Sequence, residues 1–266
     1  FLFMKKTLIA LAVATSAVVS GSVFAWTPGD FNGSFEMGGQ LTPPSQTGNP
    51  WSVAVGNNVT DLDATLEAGQ KDVSINVTNA IGILGIRPTE HKMFAGQAGI
   101  TPQISYDGAV DLDTFVNGSA DLTLSVKSGS QTIGTLTTKI SSSGIKSWSA
   151  DEGYGVEGAS SSMYASKAGM AFYGGVGKSE NNIVQDTQEA LDLASTLFPG
   201  VDETFVPGPD GNGAYDENTF DRNDYSYSGL YASGIKSGEK INITLNEALS
   251  EATTWTASLP ITVTYM

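Results

Sequence analysis

Apolar and polar residues alternate with a period of two through most of this chain, and short clusters of turn residues interrupt the alternation. The pattern is clear in 51–55, 71–79, 101–108, 119–128, 131–140, 239–248 and 253–266. A helix would scatter such apolar side chains around its whole circumference, whereas a strand gathers them on one face. Many short alternating segments with turns between them predict an all-β sandwich. The stretch "KSGSQTIG" supplies a hairpin turn between two of them, with Gly129 at its tip.

The middle of the chain departs from this rule. Residues 149–179 are rich in glycine, serine and tyrosine. Residues 180–200 have helical spacing, with Ile183, Thr187, Ala190, Leu191, Ala194 and Phe198 on one face and Pro199-Gly200 as the stop. Residues 201–229 form an acidic, tyrosine-bearing loop. The expectation is an inserted loop and short-helix subdomain over about 149–229 within a domain spanning 41–266. Insertions of this length are more often functional than architectural.

The beginning predicts a destination. Lys5 and Lys6 precede an apolar run from Leu8 to Val19, and Val23-Phe24-Ala25 ends it with residues a signal peptidase accepts. This reads as a secretory leader over 1–25, upstream residues included, with cleavage after Ala25. The chain has no cysteine, which excludes disulfides, thiol catalysis and thiolate metal sites. Its formal net charge is −15, and loss of Lys5 and Lys6 makes the remainder more negative still. Such a surface repels nucleic acid and anionic membranes.

Directly after the leader, 29–39 alternates strictly between glycines. Phe31, Gly33, Phe35 and Met37 share one face, and Asp30, Asn32, Ser34 and Glu36 the other. Flexible residues flank it: Thr27-Pro28-Gly29 before, Gly38-Gly39 and Pro43-Pro44 after. At the opposite end Leu259, Ile261, Val263 and Tyr265 alternate up to the last residue. A sandwich missing its final strand exposes an apolar groove and an unpaired edge, which an extended segment of another chain can fill. The 26–40 segment is therefore a candidate donor strand. The closing strand is the candidate groove wall.

These residues resemble a known family. The leader "MKKTLIALAV", the start "GDFNGS…GG", the "FYGG" at 172–175 and the end "TWTASLPITVTYM" are similar to the kappa-class major subunits and adhesins of chaperone–usher fimbriae, the FaeG-like group. The resemblance implies an incomplete immunoglobulin-like sandwich completed by a donor strand from a neighbouring subunit, with Phe31, Gly33, Phe35 and Met37 as its plugs. It also implies neighbouring copies of the same subunit, a periplasmic chaperone, an outer-membrane usher and a host-cell glycan receptor as partners. The expected location is a fimbrium on the bacterial surface, reached through the periplasm.

Catalytic chemistry finds little support. His91 is the only histidine, and no GxSxG elbow accompanies it. No cofactor loop or paired carboxylates can be placed, so neither an enzyme nor a cofactor is expected. The loop 210–224 is rich in side-chain oxygens but fails the EF-hand register, because Tyr215 stands where glycine is required. No metal site is assigned. For a glycan, Tyr154, Tyr164 and Tyr173 offer stacking faces, and Glu157 and Lys167 hydrogen-bonding groups. Two further readings stand beside the adhesive subunit: a purely structural pilin, and a self-contained secreted lectin-like sandwich.

Overall fold

Alternation becomes burial where it is most regular. In the strand Lys240–Leu245 the isoleucines and the leucine are buried while Lys240, Asn242 and Thr244 face solvent. The computed structural model describes residues 48–151 and 156–266. The expected leader, the candidate donor-strand residues Phe31, Gly33, Phe35 and Met37, and the candidate glycan residue Tyr154 lie outside the described residues.

Two sheets share one strand. β1 is Trp51–Val55, β2 Asp72–Asn76, β3 Ile81–Pro88 and β4 Phe94–Ala95, followed by β5 Pro102–Ser105, β6 Val110–Val116, β7 Ser119–Ser128 and β8 Gln131–Asp151. After the short β9 (Val156–Glu157) and β10 (Ser160–Ser162) come helix α1 (Thr187–Leu197), β11 (Ser226–Ile235), β12 (Lys240–Leu245), β13 (Thr256–Ala257) and β14 (Thr262–Tyr265). The 21-residue β8 pairs through its first half with β7 and β12, and β12 pairs with β2. Its second half pairs with β11, which continues through β3 to β1. β14 pairs with β5 and β13 with β7. The protein is an all-β sandwich with a small helical insert.

The insertion folds onto the outer face of the second sheet. Ala190, Ala194 and Leu197 of α1 pack on Ile145, Leu230 and Ala232. The helix is shorter than the 180–200 periodicity predicts. Asp186 caps it by accepting from the Gln188 and Glu189 amides at 2.9 Å, so the helix starts at Thr187. Upstream, Glu180–Asn182 is a 3-10 turn, and Ile183 enters the main core instead of the helix face. Serines on the sheet explain how irregular backbone can lie on it. Ser143 Oγ donates to the Ala190 carbonyl at 2.7 Å, and Ser147 and Ser162 hydroxyls to those of Val206 and Val184. Ser228 and Ser160 hydroxyls accept from the Val206 and Gly208 amides. Small hydroxyl side chains permit close approach and satisfy backbone groups that would otherwise be buried unpaired.

Phe198, just past α1, sits over Gly85 of β3. A Cβ at Gly85 would lie 2.7 Å from the Phe198 ring. Gly85→Ala should therefore cost about 2 kcal/mol by overpacking. The thermal midpoint of the subunit should fall by roughly 4–8 °C. An unchanged midpoint would mean that Phe198 moves aside freely and does not pin the insertion.

Candidate strand-accepting groove and insertion surface

The closing strand carries the period-two pattern into three dimensions. Trp255, Ala257, Leu259, Ile261, Val263 and Tyr265 are all half-buried, and the residues between them are mostly exposed. Leu259, Ile261, Val263 and Tyr265 pack against the main core, Trp255 and Ala257 against the second. Met266 and Thr101 exchange both backbone hydrogen bonds, each at 3.1 Å. Even positions of β14 thus point their backbone groups at β5. Those of Ile261, Val263 and Tyr265 point the other way, where no strand pairs with them among the described residues.

β1 meets the same core from the other sheet. Val53 stands opposite Ile86 and Val55 opposite Leu84, so all four share the inward face. Yet Leu84 and Ile86 are 0% exposed, whereas Val53 is 43% and Val55 62% exposed. The apolar row simply runs out of cover at this edge. β1 pairs only with β3, so its other edge is also open among the described residues. Burial raises the Tyr265 hydroxyl pKa, against a lowering contribution from Asn49, which places the end of β14 beside the start of β1. Two open edges and an uncovered inward row are what an added strand needs. The sequence pattern "WSVAV" marks β1 as a strand, but nothing local says that its inward valines lack a roof.

The insertion brings some of the candidate glycan residues together and separates others. Tyr164 is half-buried, and burial together with the carboxylates of Glu217, Asp216 and Glu180 pushes its hydroxyl pKa up. Glu217 accepts from the Ser166 amide at 3.0 Å. Lys167 is exposed on the turn that follows, its carbonyl accepting from the Met170 amide. Tyr173 is half-buried at the free side of β5, with its carbonyl taking the Ile104 amide at 2.8 Å. Glu157 is exposed but pairs with Ala150, whereas the Met163 amide bonds to Gly144. At strand spacing this sets Glu157 roughly 20 Å from Tyr164. One monosaccharide does not span both. Phe172 is fully buried, its ring stacked on Tyr231 at 5.6 Å between centroids.

Asp216 is held by Lys146, whose side chain is only 4% exposed. This pair, invisible in the sequence except as a lone lysine within "SSSGIKSWS", ties the acidic loop to β8. Other carboxylates of that loop also have partners: Asp210 accepts from the Gly158 amide, and Asp224 pairs with Arg222. Among the described residues no group of three or more metal-ligating side chains converges. Arg222 lies 3.7 Å over the Tyr225 ring, which also stacks with Trp148. His91 is an exposed loop residue whose Nδ1 lies 3.0 Å from the Glu203 carbonyl.

Comparison with known proteins decides the family. The profile of a family described as fimbrial, major and minor subunit, matches residues 4–266. The chain belongs to the K88 fimbrial family. It is 30% identical to K88 fimbrial protein AB of Escherichia coli over 293 residues, covering 98% of this chain and all of the relative. K88 fimbrial protein AD of the same organism is 31% identical over 288 residues, and the F41 fimbrial protein 30% over 282, with the same coverage of both chains.

The protein is thus a fimbrial subunit, not an enzyme, and works in assembly with other subunits at the cell surface. No helix among the described residues is long and apolar enough to cross a membrane.

Proposed function

We propose that the subunit polymerises by strand addition: the 26–40 segment of one copy enters the groove of the next, with Phe31, Gly33, Phe35 and Met37 facing its core. The observation that carries this reading is the uncovered inward row at β1, where Val53 and Val55 are exposed beside fully buried Ile86 and Leu84. Half-burial of Leu259, Ile261, Val263 and Tyr265 on the opposite wall supports it. An alternating strand would bury these rows while pairing both open edges. Before assembly, a periplasmic chaperone protects the same wall and an outer-membrane usher exchanges it for the donor strand. The leader 1–25 directs the chain to that compartment.

The test uses a synthetic peptide copying residues 29–39. The full chain expressed alone should aggregate, and the peptide should rescue it as a heat-resistant monomer. A peptide with the Phe35 position changed to Asp should not. Rescue by the Asp peptide, or by neither, would sink the assignment.

The assembled fibre also binds a host glycan through the insertion. Support comes from Tyr164, half-buried, whose amide donates to the Asp216 carbonyl at 3.2 Å while Glu217 takes the nearby Ser166 amide, so that a stacking face lies close to carboxylate acceptors for sugar hydroxyls. A single such site binds weakly, roughly 0.1–10 mM, and a fibre converts this to firm attachment through effective concentration. Tyr164→Ala should remove fibre retention on a glycan array without shortening the fibres. Glu157→Ala, at the far end of the hairpin, should leave retention intact. If Tyr164→Ala fibres bind normally, the site lies elsewhere; if wild-type fibres bind nothing, the purely structural role is favoured.

A further inference from the structure

Between the strand-accepting groove and β2 lies a second irregularity. Residues 57–66 have no backbone hydrogen bond among the described residues, although "TDLDATLE" (60–67) alternates as a strand should. Leu62 and Leu66 are half-buried against the second core, which also receives Trp255 and Ala257 of the closing strand. A trough of about 970 Å3 separates this segment from residues 73–82. Its far bank is β2, the last strand of its sheet.

The two banks are already joined as a hairpin would be. The Gln70 amide donates to the Glu67 carbonyl at 3.0 Å, closing a β-turn with Gly69 at φ +84°. Counting back from that pair sets Thr65 opposite Asp72, Asp63 opposite Ser74, and Asp61 opposite Asn76 as the hydrogen-bonding pairs. β2 has the matching parity. Val77 and Lys71 bond toward β12, so the backbone groups of Asp72, Ser74 and Asn76 point outward to the trough. The same register puts Leu62 opposite Ile75 and Ala64 opposite Val73, apolar against apolar. Two features keep the arms apart. Of the turn's central residues only Gly69 has positive φ, and turns of that kind splay the strands that leave them. The Gln70 side chain also occupies groups that zipping would use, accepting from the Glu67 amide at 2.9 Å and donating to the Asp72 carbonyl at 2.6 Å.

We propose that residues 57–66 and β2 are the arms of a hairpin held open in the isolated subunit, and that they zip together when a neighbour's strand fills the adjacent groove. The inference rests on the strand-addition reading above. An added strand would cover the part of half-buried Leu62 and Leu66 still open to water, and so supply the apolar burial that favours the closed form. Each subunit then gains a sheet strand only on joining the fibre, which makes the junction harder to reverse.

Hydrogen exchange tests this on the full chain carrying Phe35→Asp, which cannot donate to its neighbours, freshly refolded at concentrations low enough to keep it monomeric, with and without the 29–39 peptide. Binding of the peptide should slow exchange at Ser74 and Asn76, and across 61–65, at least about tenfold. A second variant adds Ala64→Cys and Val73→Cys, the only cysteines in the chain. Their disulfide should form about tenfold faster with peptide present, because the closed pair brings the two Cβ atoms within bonding reach. Bound peptide with unchanged exchange at Ser74 and Asn76 and an unchanged oxidation rate overturns the proposal while leaving strand addition standing. Failure of the peptide to bind overturns both.

Discussion

Cells whose only copy of the subunit carries Phe35→Asp should display no fibres. An aspartate at that position must lose its water to enter the groove, among Leu259, Ile261 and Val263 on one wall and Val53 and Val55 on the other. Nothing apolar there can pair with it. A cost of about 4 kcal/mol at each junction, modest for a buried and unpaired carboxylate, multiplies junction dissociation about a thousandfold. A fibre built by the proposed strand addition contains one such junction per subunit, so the effect on length is severe. The sandwich of the variant is untouched and should still accept the wild-type 29–39 peptide. Val263→Asp is the mirror experiment: its own extension remains a competent donor, but its groove rejects every strand. Electron microscopy of the cell surface reads both. Fibres of normal length from the Phe35→Asp strain would remove the donor assignment.

Asp216→Ala should loosen the insertion and leave the rest of the sandwich folded. The Lys146 side chain is 4% exposed and reaches Asp216, so deleting the carboxylate strands an ammonium where water scarcely enters. Breaking such a pair from one side costs about 3 kcal/mol. The value sits at the lower end of the usual range because Asp216 itself is 51% exposed on its side chain. Lys146→Met with Asp216→Ala should recover most of the loss, since an apolar chain of similar length needs no partner. Denaturant unfolding of the donor-complemented monomer measures the difference. Equal stability of the single and double variants would show that Lys146 finds another partner or water. Because Asp216 also edges Tyr164, the single variant should weaken glycan retention by fibres more than it weakens the fibres.

Much of the strand content was legible because it depends on neighbours two residues apart. "KINITL" could hardly be anything but a half-buried strand, and it became β12. The helix was legible for the same local reason, but its start was not. Periodicity continued back to Ile183, and only the Asp186 cap and the docking of Ile183 into the core set the boundary at Thr187. The glycan candidates fared unevenly because their chemistry was read residue by residue. Tyr164 found acidic neighbours from the loop after α1, distant in sequence. Glu157, seven positions away from Tyr164, is kept apart from it by the extended hairpin that contains both.

By itself, then, the sequence determined the all-β class, the short helix in the middle of the chain and the alternating faces of the closing strand, because periodicity is a property of consecutive residues. Only the tertiary structure decided that Val53 and Val55 stand uncovered beside buried Ile86 and Leu84, that Lys146 holds Asp216, and that 57–66 is parted from β2. Each of these is a relation between segments far apart in the chain or at the edge of a sheet. Whether an apolar face is roofed, or a charge paired, depends on what the other layer supplies, and no local pattern contains that information.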